Sequence, residues 1–448
     1  MIKKTLNSPL FMTWLDMFVK FGMNIILLPI ATIYLAPEEL AYFLFIGTLL
    51  GMAYLAEGGI NRVILRATSY FKEGASVLPN NFEEIQEIKS DGKMNYKLLG
   101  QLVQTSFIIY FILGLISLIL FFTIGYFTSE NLISKQPNVD EAYITFGLLS
   151  VFAFLYIMQL RWVGLIQGLG YLAEQKRVEI IFGLIRIALS ILAIILGYGV
   201  FGVVAAMLLS VIVAHILYKK MFYAYLPKDS IQEYQYFSKD ILQKLIPSAW
   251  KQSVLAWGSY LIYQGTVLLA AQLNDVKLIA SYLLTLQVVN LLMRVSNAPA
   301  YSYYPNISKV IAKKDKKAFK NLLFRSLKIS LGLYTLGAIV IYFLGNQILE
   351  LIGAKALLIH GNLMILILFM YMLELHHVTH ATIYTATNHI PFVLPALLSG
   401  IAIVIGGWFV IDDYGLWGIV LVQFIVQLSC NNWYPVWLNY KLIRNFNA

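Results

Sequence analysis

A single cysteine, Cys430, stands in the whole chain. One thiol can neither close an intrachain disulfide nor build a multi-cysteine metal centre. Charge is scarce too: Asp, Glu, Lys and Arg make up 12% of the 448 residues. A soluble domain of this length carries about twice that share on its surface. Enzyme signatures are also missing. There is no phosphate-binding Walker loop, no Gly-x-Ser-x-Gly elbow and no dinucleotide fingerprint. No catalytic residue, cofactor or metal is therefore expected, and the reading is a transporter.

What is present is apolar: 59% of residues are hydrophobic and the mean hydropathy is +0.73. The apolar runs are continuous and long enough for helices of about 20 residues. Outer-membrane strands would instead alternate over about 10 residues. Twelve spans can be marked, near 11–34, 40–60, 99–127, 142–167, 178–198, 200–218, 246–272, 278–304, 326–346, 358–387, 390–411 and 414–437. Lys3 and Lys4 ahead of an apolar run look like a secretion signal. The run is too long and too charged for one, and is expected to be retained.

The net charge of +10 falls in short loops between spans, which argues against nucleic acid as a partner. With the N-terminus inside, 24 Lys and Arg lie in inside segments, while Lys135, Lys277 and Lys355 alone lie outside. The positive-inside rule then places both termini in the cytoplasm. Asn81 to Ile88, in the longest inside segment, reads as a short amphipathic helix, resting on the membrane or docking a partner.

A repeat is visible. Tyr198-Gly199-Val200-Phe201-Gly202 and Tyr414-Gly415-Leu416-Trp417-Gly418 share one pattern at two outside turns. Six spans then recur in the same orientation, an arrangement found in transporters with a site between the halves. Expected divisions are a lobe over 1–220, a linker over 221–245 and a lobe over 246–448. The Gly-Gly pairs at 58–59 and 406–407 are expected to serve helix packing.

Charge inside the spans calls for a cause. Asp16 and Lys20 sit a turn apart in the first span. Lys20, Arg161, Arg186, Lys251 and Arg294 all fall in the cytoplasmic half of their spans. Each would cost roughly 2.5–3.5 kcal/mol facing lipid. Arg161 and Lys251 are near enough to the edge to snorkel. A shared inward cavity that receives a phosphate explains the set with one cause. In span ten, Glu374, His376, His377 and His380 are candidates for ion coupling. His376 shares a face with His380, and Glu374 neighbours His377. Plain hydrogen bonding and a zinc site remain open for them.

Four stretches together resemble the Wzx-type O-antigen and exopolysaccharide flippases of the MOP superfamily. They are Glu57-Gly58-Gly59-Ile60 through Arg66, Ser69 and Tyr70 to Gly74-Ala75; Asn95-Tyr96-Lys97-Leu98; Gln167-Gly168-Leu169-Gly170; and Met372-Leu373-Glu374-Leu375-His376-His377 on to Thr387-Asn388-His389-Ile390-Pro391-Phe392. The resemblance implies an all-α polytopic protein of twelve transmembrane helices, in two pseudo-symmetric six-helix lobes around a central cavity, as in MATE proteins. It implies a flippase for undecaprenyl-pyrophosphate-linked oligosaccharide in the bacterial inner membrane, coupled to H+ or Na+. Membrane lipids and the polysaccharide polymerase machinery would be its partners. By position, Lys20, Lys251 and Arg294 match a cationic cavity, and Arg66 a basic position of the first motif. Asp16 departs from the pattern, since it can neutralise Lys20. A MATE-like multidrug or cation exporter is the alternative, which predicts an acidic cavity. A membrane glycan polymerase is a third reading, but the outside loops are too short for a catalytic platform.

Overall fold

The computed structural model describes residues 9–78, 92–387, 389 and 391–446, without the side chains at 9–10, 21–25, 247–252, 305 and 430. The amphipathic stretch expected at 81–88 lies outside the described residues, and so does the side chain of Lys251. No β-strand is present among the described residues.

The helices in order are α1 (Pro9–Tyr34), α2 (Pro37–Leu55), α3 (Ile60–Lys72), α4 (Tyr96–Leu120), α5 (Tyr126–Ile133), α6 (Val139–Gly168), α7 (Leu172–Ile195), α8 (Gly199–Ala224), α9 (Lys239–Ala270), α10 (Val276–Ala312), α11 (Lys316–Leu351), α12 (Asn362–Tyr384), α13 (Val393–Val426) and α14 (Tyr434–Asn445). A π-helical turn, Phe121–Gly125, joins α4 to α5, and a second, Gln427–Asn431, follows α13. Asn95, Asn138, Asp275 and Asp315 each accept the backbone N–H three residues on, starting α4, α6, α10 and α11. Such caps supply a partner for a donor the helix itself leaves unused.

Ten helical segments, several of them joined runs, are long and apolar enough to cross a membrane. α1 and the second limb of α13, which breaks at Gly415, complete the expected twelve. The outward faces carry large apolar side chains; on α11 they include Leu333, Leu336, Ile339, Val340 and Phe343. An apolar face of that extent belongs in lipid, and the protein is a multi-pass membrane protein.

The chain divides into two compact units: Met1–Leu35 with Leu49–Ala256, and Ala36–Thr48 with Trp257–Ala448. The dividing lines fall inside α2 and α9. In the first unit α6 is central, packing on α3, α4 and α8, while α7 packs on α1 and α8. In the second unit α10, α11 and α12 pack on one another, and α14 packs on α12.

The two repeated pentapeptides fold alike. Gly199 and Gly415 take φ of 48° and 53°, a left-handed conformation that side chains resist. The second glycine of each lies against the pentapeptide's own tyrosine. A Cβ at Gly202 would come 2.8 Å from Tyr198 Cβ, and one at Gly418 would come 2.7 Å from Tyr414 Cβ.

The Glu57-Gly58-Gly59 motif has a structural role beyond the one expected. Gly58 and Gly59 form a left-handed turn with φ of 59° and 80°, and Gly58 also packs on α9, where a Cβ would come 2.1 Å from Ser253 Oγ. The turn lets the Glu57 carboxylate fold back and accept N–H bonds from Gly59 and Asn61, capping α3. Tyr110 donates to the same carboxylate, and Asn61 donates to the Leu160 carbonyl. The motif thus pins α3 to α4 and α6. The second pair packs too: a Cβ at Gly407 would come 2.4 Å from Leu269 Cδ1.

α3 lies so close to α6 that a Cβ at Gly168 would come 2.4 Å from Thr68 Cβ and 2.6 Å from the Leu65 carbonyl oxygen. Gly168→Ala should therefore destabilise the protein by about 1–3 kcal/mol in SDS-induced unfolding. Gly147→Ala meets nothing within 4 Å and should stay within about 0.5 kcal/mol of wild type. Equal effects would contradict the close approach.

Candidate functional site

α1, α6, α7 and α8 enclose a cavity of about 160 Å³ in the first unit. Its charged lining is Asp16 and Lys20 from α1, and Lys176, Glu179 and Arg186 from α7. Phe152, Tyr156 and Gln159 line it from α6, and Ser210, Ala214 and Tyr218 from α8. Ligand pockets for drug-sized molecules run to about 300–1,000 Å³. This one fits a small polar group and not a sugar chain.

The four charges nearest α1 form a closed square. Lys20 Nζ donates to Asp16 at 3.0 Å and to Glu179 at 2.5 Å. Lys176 Nζ donates to Asp16 at 2.7 Å and to Glu179 at 2.9 Å. Each ammonium meets both carboxylates, so the square is neutral. Gln175 donates to Glu179 and accepts from Gln167, extending the network along α7. Arg186 adds one positive charge to the lining.

Local sequence explains the arrangement. Residues 16 and 20 are four apart, and 176 and 179 three apart, so each pair rises from one helix face. α1 and α7 pack together and bring the two faces into register. Burial differs round the square: the side chains of Asp16 and Lys176 are 5% and 15% exposed, that of Lys20 53%. A charge removed from water depends on its partner far more than an exposed one does.

The structure separates the other basic residues expected at the site. Arg161 does not line the cavity and does not snorkel. It is 7% exposed, its guanidinium 4.2 Å from the Trp162 ring centroid and 4.8 Å from that of Phe107. Stacking on rings is worth about 0.5–2 kcal/mol each, less than the several kcal/mol that a buried unpaired ion loses in hydration. Arg66 is exposed on α3. Arg294, midway along α10 in the second unit, is exposed and has no ion pair among the described residues. So Lys20 and Arg186 share a chamber, while Arg66 and Arg161 lie apart from it. Lys176 and Glu179 were missed in the sequence. Glu179 sits one residue inside an expected span, and that position was the available signal.

The second unit buries a different polar group. Glu374 on α12 is 3% exposed. Its carboxylate accepts from the Tyr263 hydroxyl at 2.5 Å and from Gln427 Nε2 at 3.1 Å. Both oxygens are thus engaged without His377, whose Nδ1 lies 2.7 Å from the Asn431 carbonyl. The π-helical turn Gln427–Asn431 supplies both Gln427 and Asn431; such turns gather at functional positions. His376 and His380 meet edge to face with centroids 4.6 Å apart, and Asn439 Nδ2 lies 3.3 Å from His380 Nδ1. Among the described residues no group of three or more His, Cys, Asp or Glu is placed to hold a metal ion.

No protein-family model matches the chain, and no curated protein matches it. Solved structures do. The chain is similar to an inward-facing multidrug resistance MATE family transporter of the MOP superfamily at 15% identity, covering 97% of this chain and 96% of that one, with a TM-score of 0.68. It is similar to the lipid II flippase MurJ, in an inward closed conformation, at 14% identity over 98% and 89% of the two chains, TM-score 0.55. A eukaryotic MATE transporter, AtDTX14, gives 13% identity over 99% and 98%, TM-score 0.56. At such identities the likeness establishes the fold: that of the MOP superfamily transporters, MATE-like and all-α.

The square predicts unequal couplings. In double-mutant cycles read by SDS-induced unfolding, Asp16→Asn and Lys176→Met should couple by about 1–3 kcal/mol. Asp16→Asn and Lys20→Met should couple by less than about 1 kcal/mol, because Lys20 is half exposed. Couplings of equal size would mean that burial does not set the strength of these pairs.

Proposed function

We propose that this protein is a flippase that carries an undecaprenyl-pyrophosphate-linked oligosaccharide, an O-antigen or exopolysaccharide repeat unit, across the bacterial inner membrane. Both termini face the cytoplasm, and two lobes, 1–220 and 246–448, are joined by a linker at 221–245. The observation that carries the reading is the cavity lining, where three cations face two carboxylates. A net positive chamber in low dielectric favours an anion, and Lys and Arg suit phosphate oxygens. The small cavity takes phosphate alone, while the sugars and the polyprenyl tail travel outside it. Arg294 of the second unit and Lys251 of the first are the further phosphate ligands we assign, and Arg66 a surface contact.

The neutral square supplies a means of coupling. While Asp16 and Glu179 are ionised, they hold Lys20 and Lys176. Asp16 is the candidate coupling residue here: an ion bound to it weakens that hold, and the ammonium groups become available to phosphate. Glu374, with His376, His377 and His380, is the corresponding candidate in the second unit. Support for the flippase reading also comes from the motif series and from the fold shared with a lipid II flippase.

A multidrug exporter is the second reading. It is favoured by the higher structural similarity to a MATE transporter and by the buried carboxylate Glu374. The two separate in one genetic experiment. Deleting the chromosomal copy should remove a surface glycan, with lipid-linked repeat units accumulating on the cytoplasmic side. Complementation with Lys20→Met, Arg186→Gln or Arg294→Ala should restore less than about a tenth of that glycan at normal membrane abundance, as a lost charge contact of about 1.4 kcal/mol or more requires. Normal glycan together with lost resistance to cationic dyes would support the exporter.

A further inference from the structure

Arg161 is a buried cation that the cavity does not use. The cavity-lining residues of α6, namely Phe152, Tyr156, Gln159, Leu160 and Val163, share one face. At about 100° per residue Arg161 lies roughly 160° round the helix from the middle of that face. It packs instead toward α4, through Phe107, and toward α8. The Trp162 ring meets His215 of α8 edge-on at 6.4 Å, and Arg161 and Lys219 both lie within electrostatic reach of His215. His215 and Lys219 are four apart and share a face.

Two features mark this cluster as incomplete. First, three buried nitrogens in it have no hydrogen-bond partner: Arg161 Nε, Trp162 Nε1 and His215 Nδ1. Secondly, among the described residues no carboxylate forms an ion pair with Arg161, His215 or Lys219. Elsewhere in the same unit the buried cation Lys176 has two carboxylates. Arg161 has aromatic groups alone, the faces of Phe107 and Trp162 and the nearby Tyr223, and a buried guanidinium without a counter-anion is an unstable arrangement in low dielectric.

The flanks say which kind of anion completes it. Phe107 and Phe111 on α4, and Ile212 and Ile216 on α8, are large apolar side chains exposed on the outer surface. They would lie along acyl chains. The cluster sits toward the ends of α6 and α8, which lead into Lys- and Arg-rich loops, with Phe107 midway along α4. We propose that Arg161, His215 and Lys219 form a binding site for a bilayer lipid whose headgroup carries an unneutralised phosphate, with Phe107, Phe111, Ile212 and Ile216 receiving its chains. The guanidinium and ammonium meet the phosphate oxygens, and the imidazole and indole N–H groups are further donors beside it. The site is separate from the cavity, and it does not depend on which substrate the transporter carries.

The test uses the delipidated full-length protein in detergent, titrated with short-chain phosphatidylglycerol, with short-chain phosphatidylcholine, and with inorganic phosphate. Native mass spectrometry counts bound lipid, and a photoactivatable phosphatidylglycerol maps where it attaches. One phosphatidylglycerol should bind in preference to phosphatidylcholine and cross-link to peptides of α4 and α8. Arg161→Met should weaken that binding at least tenfold, and Lys219→Met by about threefold, as for a more exposed charge. Because Arg161 is buried, its variant can fail to fold; Lys219→Met and the cross-link map on wild type then decide. Undiminished binding by Lys219→Met with cross-links elsewhere overturns the site. So does equal binding of phosphatidylcholine, and displacement of the lipid by millimolar inorganic phosphate would make it a free-anion site and overturn the lipid assignment.

Discussion

Water is absent from the interior of a bilayer, and this one constraint accounts for most of what the protein does with its polar groups. A charge in a span must find a counter-charge, a ring or a ligand within the protein. The square of Asp16, Lys20, Lys176 and Glu179 is the fullest case, since each cation holds two anions. Glu374 solves the same problem with neutral donors, Tyr263 and Gln427. Arg161 solves it in part, with two aromatic faces. These three arrangements differ in how much remains unsatisfied, and that remainder is where we propose that ligands act.

The same constraint shapes the backbone. Helices satisfy their own amide groups, so irregular stretches are confined to places where side chains replace the lost partners. The Glu57 carboxylate does so at the left-handed turn before α3. The π-helical turn at Gln427–Asn431 does so with its own side chain on Glu374 and its carbonyl on His377. The stretches of sequence that resemble a flippase family are thus, at Glu57 to Gly59 and at Gln167 to Gly170, positions of helix docking. At Glu374 to His377 they are positions of buried polar chemistry. One resemblance therefore mixes two causes.

Much of the fold was legible because apolar run length is a direct consequence of bilayer thickness. Twelve spans and the paired Tyr-Gly turns could be read from the residues alone, and Gly199 and Gly415 share a backbone conformation that only glycine adopts readily. The site was less legible. Asp16 and Lys20 announce themselves by spacing within one span. Their partners on α7 do not, because the pairing of α1 with α7 is a tertiary fact with no local signature. Depth along a helix also says nothing about direction around it. Arg161 and Gln159 are two residues apart on α6, yet one faces Trp162 and Phe107 while the other lines the cavity. The glycine pair at 58–59 was read only in part, for a related reason. Two glycines beside an apolar run suit a helix contact and a left-handed turn equally well, until the carboxylate that folds back over them is located.

The account stands on the claim that the surplus positive charge of the α1–α7 chamber binds the phosphate of a lipid carrier. Its most direct test is a reconstituted assay in proteoliposomes, with a fluorescent polyprenyl-pyrophosphate oligosaccharide in one leaflet. The account predicts transfer that rises when a proton or Na+ gradient is imposed, and that falls at least tenfold when Lys20→Met and Arg186→Gln are combined. Transfer at the wild-type rate by that double variant, or transport of a cationic dye in place of the lipid, would contradict it.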